Sequence, residues 1–222
     1  MTRNLVSRLG LFSRGVLVVG LERADEIGPK WREGEMMNVV EAILDGQKWP
    51  ATSEPELYVP DLVLTLIRTD SRERASDVAL LLEEAVATKF LEPCTGAPEL
   101  CALLVPGLLV ASSVGRIEMM HVLQDFCSGV DGGFASGSLQ ASIAVEIARG
   151  FVVYAWYVQT GTPEERFASL DLCFEAARFD ARLRTRVENL FRSIVESGVL
   201  AGTELEFARA SLAKLESADS LG

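Results

Sequence analysis

His121 is the one histidine in the 222 residues. It stands in the run Glu118-Met119-Met120-His121-Val122-Leu123-Gln124-Asp125. Helical spacing brings Glu118 and Asp125 within a turn of the ring. A carboxylate beside an imidazole can tune it as a general base or as a pH-sensitive pair. Base catalysis also needs a group to deprotonate, and no nucleophile stands within sequence reach of His121. The expectation is therefore a solvated helical ion pair.

The four cysteines, Cys94, Cys101, Cys127 and Cys173, form no Cys-x-x-Cys pair. Six residues separate Cys94 from Cys101 and five separate His121 from Cys127, spacings that match no common zinc site. Buried, reduced thiols in a cytoplasm are expected, with no metal and no cofactor. The loop Asp131-Gly132-Gly133-Phe134-Ala135-Ser136-Gly137-Ser138 offers backbone amides to an anion. It lacks the Gly-Lys-Ser/Thr ending of a phosphate loop and follows no clear strand, so it reads as a connector.

Two charged groupings remain. Arg178, Arg182 and Arg186 recur every four residues, with Arg184 and Arg192 beside them. They are therefore expected to share one helical face that can hold an anionic ligand, or pair with Glu175, Glu188 or nearby acids. The acids Glu22, Asp25, Glu26, Glu33 and Glu35 lie close to Trp31 and Trp49, followed by Glu41 and Asp45. Carboxylates around an aromatic anchor suit a basic protein partner. The alternative is a solvated exterior over a core holding both tryptophans.

The whole chain bounds these readings. Its net charge is −11, which disfavours charge-driven binding to DNA or RNA. The acid excess is mostly N-terminal, with 12 Lys/Arg against 20 Asp/Glu up to Gly137 and 9 against 12 beyond it. Hydrophobic residues make up 49% and mean hydropathy is +0.22, so a dense core is expected. The N-terminus has arginines ahead of Val16–Val19, but no long apolar run or small-residue cleavage site, and a secretory signal is not expected.

The elements follow from periodicity. Ser138 to Gly161 is apolar on almost every side, with Glu146 and Arg149 its only charges, and reads as a central helix. Spanning a membrane would bury those two charges in lipid, so insertion is not expected. A helix is expected over Glu35–Asp45, and another from Pro60 to Arg68. Ser71–Phe90 is amphipathic, with Ala75, Val78, Ala79, Leu82 and Val86 inward and a capping box at Asp70 and Glu73. Pro98 opens the next helix and Pro106 kinks or divides it. Gly115 starts one with Met119, Val122, Leu123 and Phe126 inward. Thr162-Pro163-Glu164-Glu165 caps another, with Phe167, Leu170, Phe174 and Ala177 as its buried stripe. Residues 163–197 make one bent helix or two, and Thr203 with Glu206 caps the last.

These readings predict an all-α, irregular bundle of about nine or ten helices in antiparallel pairs. A HEAT- or TPR-like stack is the alternative, although no fixed repeat occurs. One domain over 1–222 is expected, with a possible division into 1–128 and 138–222 across the connector at 129–137. The expected role is non-enzymatic: an adaptor, inhibitor or immunity-type protein meeting a basic partner through acids and aromatics, with homo-oligomerisation as a variant. The alternative is an enzyme or small-anion binder with a pocket beside the central helix, lined by Tyr154, Trp156 or Tyr157 and served by the arginines.

Overall fold

In the computed structural model, residues 37, 40–42, 44–45, 58–86, 96–128 and 135–219 are described. The chain divides into two compact units, 1–32 and 33–222, and every described residue belongs to the second. That unit is an all-α bundle, with no strand among the described residues. Its helices are α1 (Val59–Arg68), α2 (Arg72–Val86), α3 (Ala97–Gly107), α4 (Ser113–Ser128), α5 (Leu139–Arg149), α6 (Phe151–Thr160), α7 (Pro163–Phe179), α8 (Arg184–Ser197) and α9 (Gly202–Asp219). A short 3-10 turn, Ala181–Leu183, joins α7 to α8. Val40 and Leu44, from a helical stretch upstream, join the same core.

The stripe expected on α2 is the one that is buried: Ala75, Val78, Ala79, Leu82 and Val86. Its cap is one residue later than expected. Ser71 Oγ accepts from Arg74 N–H at 3.3 Å, in place of the Asp70–Glu73 box. The Thr162–Glu165 capping box forms as expected, with Pro163 at the first helical position. The Thr203–Glu206 box is displaced, because α9 already begins at Gly202. Pro106 lies in the last turn of α3, whose helix stops at Gly107.

The central helix is not one rod. It breaks at Gly150 into α5 and α6, bent by 45°. No single helix among the described residues is long and apolar enough to cross a membrane. The bent pair would qualify only as a whole, and its Ile143, Ile147, Phe151, Tyr154 and Val158 are buried in protein. Val145 and Val152 face outward, so the pair is also not enclosed on every side.

The hub is α7, which packs against α4, α5, α6, α8 and α9. Contacts to so many non-sequential neighbours are those of a bundle, not of a stack in which each unit meets only the next. The expected α7 stripe is only partly right, since Phe167 is 38% exposed. Leu170 and Ala177 are buried as expected, and Ala168, Ser169 and Ala176 are buried with them. Small side chains let several helices approach one axis, which suits a hub better than a large apolar stripe.

Gly150 has a second consequence. A Cβ there would lie 2.3 Å from Tyr154 Oη, so glycine makes room for the phenol of the next turn. That hydroxyl is wholly buried and has no hydrogen-bond partner among the described residues. Burial, with the Cys127, Cys101 and Cys173 thiols and Glu146 nearby, holds it well above the ordinary tyrosine range. An unpaired buried hydroxyl costs about 1–3 kcal/mol. Tyr154→Phe is accordingly expected to leave stability unchanged or raise it by about 1 kcal/mol in urea unfolding. A loss of that size would mean that the hydroxyl is bonded after all.

Candidate functional site

The site with the most chemistry is a cleft of about 350 Å³ between α2 and α4. Alpha-helical spacing builds both walls. On α2, Ser76, Leu80 and Glu83 project from one face. On α4, Glu118, His121, Gln124 and Asp125 do the same, opposite to Met119, Val122, Leu123 and Phe126, which enter the core. Leu80 is 58% exposed, an unusual position for a large apolar side chain at the mouth of a charged cleft.

The pairing expected from sequence at His121 is present. Its Nδ1 lies 3.4 Å from Glu118 Oε2. Asp125 does not join it but meets Glu83 across the cleft, within hydrogen-bonding range. Gln124 turns the other way, donating from Nε2 to Asp171 Oδ2 at 3.0 Å and to the Ala168 carbonyl at 3.3 Å, which ties α4 to α7. Burial, then the hydrogen bond and charge of Asp125, then the charge of Glu118, push the Glu83 carboxyl up to about 7. Among the described residues, no Lys or Arg lines the cleft, so no fixed cation there compensates its carboxylates.

Sequence reasoning missed Glu83. The one available signal was its place on α2, one turn after Ala79 and next to Leu82. Its partner is 42 positions away in the sequence.

The arginines do not share a helical face. Arg178 is on α7, Arg182 in the 3-10 turn and Arg186 on α8, because the helix ends at Phe179. Arg178 Nη1 donates to both Glu175 oxygens, at 2.8 and 2.7 Å. Arg182 pairs with Asp180 at 2.8 Å. The Arg186 guanidinium stacks 5.1 Å from the Phe151 ring centroid. Two of the three already have carboxylate partners, as the ion-pair reading expects for Glu175.

Tyr154 and Tyr157 lie in the core rather than along a cleft, and Tyr157 Oη donates to the Leu108 carbonyl at 2.8 Å. At the start of α5, Ser138 Oγ accepts from Ala141 N–H at 3.1 Å, which occupies one of the amides an anion would use. Cys101, Cys127 and Cys173 are free and buried, and burial pushes all three thiols up, away from reactivity. Among the described residues, no three His, Cys, Asp or Glu side chains are arranged to hold a metal ion. Glu22, Asp25, Glu26, Trp31, Glu33, Glu35, Trp49 and Cys94 lie outside the described residues. So do residues 129–134 of the connector. Glu41 pairs with Arg68 at 3.3 Å.

No protein-family model matches this chain, and no curated protein or solved structure does either.

Proposed function

We propose that this chain is a non-enzymatic interaction module, an adaptor, inhibitor or immunity-type protein that offers carboxylates to a basic partner. The observation that supports it is the α2–α4 cleft, where Glu83, Glu118 and Asp125 face one another with no fixed Lys or Arg beside them among the described residues. Like charges held together are relieved by a cation, and a partner's Lys or Arg supplies it. The aliphatic stem of that side chain would rest on the exposed Leu80. The net charge of −11 steers a basic protein toward the surface and repels nucleic acid. Glu22, Asp25, Glu26, Glu33 and Glu35, with Trp31 and Trp49 as anchors, extend the same chemistry to the N-terminal region, and self-association is a variant of it. A cytoplasmic setting fits the three free thiols.

The test is co-purification from the native source at moderate salt, repeated with two variants. One is Glu83→Lys with Glu118→Lys, and the other reverses the acids from Glu22 to Glu35. A stoichiometric partner is expected, released by at least one reversal and by raised salt. A protein that stays monomeric and retrieves nothing sinks the proposal. So does a partner indifferent to both reversals.

A further inference from the structure

We infer that the α2–α4 cleft is a proton-operated clasp: one proton shared between Glu83 and Asp125 joins the two helices, and its loss sets their carboxylates against each other. The clasp holds whether or not a basic partner uses the cleft.

The geometry carries it. Both walls of the cleft are single helices, and each brings an acid to the same place. Glu83 faces Asp125 and Glu118 on α4, while His121 lines the cleft and is engaged with Glu118. Among the described residues, α1 also packs closely on α2, and it contributes no residue to the cleft. Glu84, the neighbour of Glu83 on α2, is exposed. Among the described residues, no Lys or Arg stands in the cleft to take the place of the proton. Two carboxyls that close do not both ionise readily, so the pair keeps one proton into the neutral range.

The sign follows from linkage. Glu83 binds its proton more tightly in the folded chain than in the unfolded one, where a glutamate titrates near its ordinary 4.5. The clasp's contribution is complete below that value and is lost as pH rises toward 7. A cell-neutral pH therefore falls on the steep part of the titration. Small pH changes would alter how firmly α2 is held to α4.

The test compares urea unfolding of the full chain between pH 5 and 8 for wild type and Glu83→Gln. The amide keeps the shape and a donor to Asp125 but cannot lose the proton. Glu146, Asp171 and Glu175 are also raised, chiefly by burial, so the wild-type slope alone is not diagnostic. The difference between the two proteins is. Across that range the wild-type unfolding constant is expected to rise about tenfold more than that of the variant, allowing for the solvent access of Glu83. Parallel pH profiles overturn the clasp. Carbon-detected NMR titration of the Glu83 carboxyl supplies a second reading. It is expected to titrate near neutrality in wild type and clearly lower in Asp125→Asn. A midpoint below 5 in wild type, or no shift in Asp125→Asn, overturns it too.

Discussion

Gly115→Ala is expected to destabilise the protein by about 3 kcal/mol or more, because overpacking here meets backbone and not a movable side chain. An added Cβ would lie 1.9 Å from the Leu66 carbonyl oxygen and 3.0 Å from its carbon. The contact sits where the end of α1 is docked on the start of α4. Ser112 N–H donates to the Ile67 carbonyl at 3.0 Å, and Ser112 Oγ donates to the Thr69 carbonyl at 2.5 Å. Gly115 N–H returns a bond to Ser112 Oγ at 3.0 Å. Carbonyls left over at one helix end and amides left over at another thus meet through a single serine. A Cβ at 115 would push the two helices apart and break the two bonds that cross between them. Gly107→Ala is the control, since its nearest neighbour is the flexible Met119 side chain at 3.4 Å. It is expected to cost less than about 1 kcal/mol. Equal losses for the two variants in urea unfolding would show that the α1–α4 docking does not depend on Gly115.

Glu165→Ala is expected to cost about 3–5 kcal/mol, the range for removing one partner of a buried ion pair. Its side chain is 4% exposed and that of Arg116 is 17% exposed. Arg116 Nη1 donates to Glu165 Oε1, and Ser113 Oγ reaches the same oxygen at 3.0 Å. Thr162 N–H donates to Glu165 Oε2 at 2.8 Å. The guanidinium also donates to the Leu108 and Ala111 carbonyls, at 2.8 and 2.7 Å, and stacks 4.6 Å from the Tyr157 ring centroid. One ion pair therefore fastens the α3–α4 turn to the cap of α7. Removing the carboxylate strands a charge among groups that only partly satisfy it.

The same group contributes to the acid limit of the fold. Burial alone would raise the Glu165 carboxyl. The Thr162 amide, the Arg116 guanidinium and the Ser113 hydroxyl together outweigh it and hold the group below its ordinary value. Its stability contribution is complete above the ordinary carboxylate value and is lost as pH falls through the lowered one. Wild type is therefore expected to lose stability on acidification below about pH 4.5, and Glu165→Gln to lose less over the same interval. Identical acid profiles for the two would remove Glu165 from that role. This window lies below the one in which Glu83 acts, so the two titrations are separable.

Most of the signals that were readable had partners within a turn or two, although the Asp70–Glu73 and Thr203–Glu206 boxes were not among them. The five inward residues of α2 repeat at helical spacing. Thr162 and Glu165 cap a helix within four residues, and Glu146 pairs with Arg149 three positions on. His121 finds Glu118 in the same way. The failures also have a local cause. Extrapolating the Arg178–Arg186 stripe assumed an unbroken helix, but Asp180 turns its side chain to accept from Arg182 N–H and starts a 3-10 turn. The rod over 138–161 was read from hydrophobicity alone, which says nothing of the space that Tyr154 Oη needs at Gly150.

The sequence by itself determined the helices, most of their inward faces and the acidic character of the surface. Those properties depend on neighbours three or four residues apart, where chain geometry fixes the distance. Tertiary structure alone decided that α7 is the hub, that Arg116 meets Glu165 49 positions away, and that Glu83 meets Asp125. Such pairings depend on which helices come to share a wall, and a chain written in one dimension does not record the separation between two of its walls.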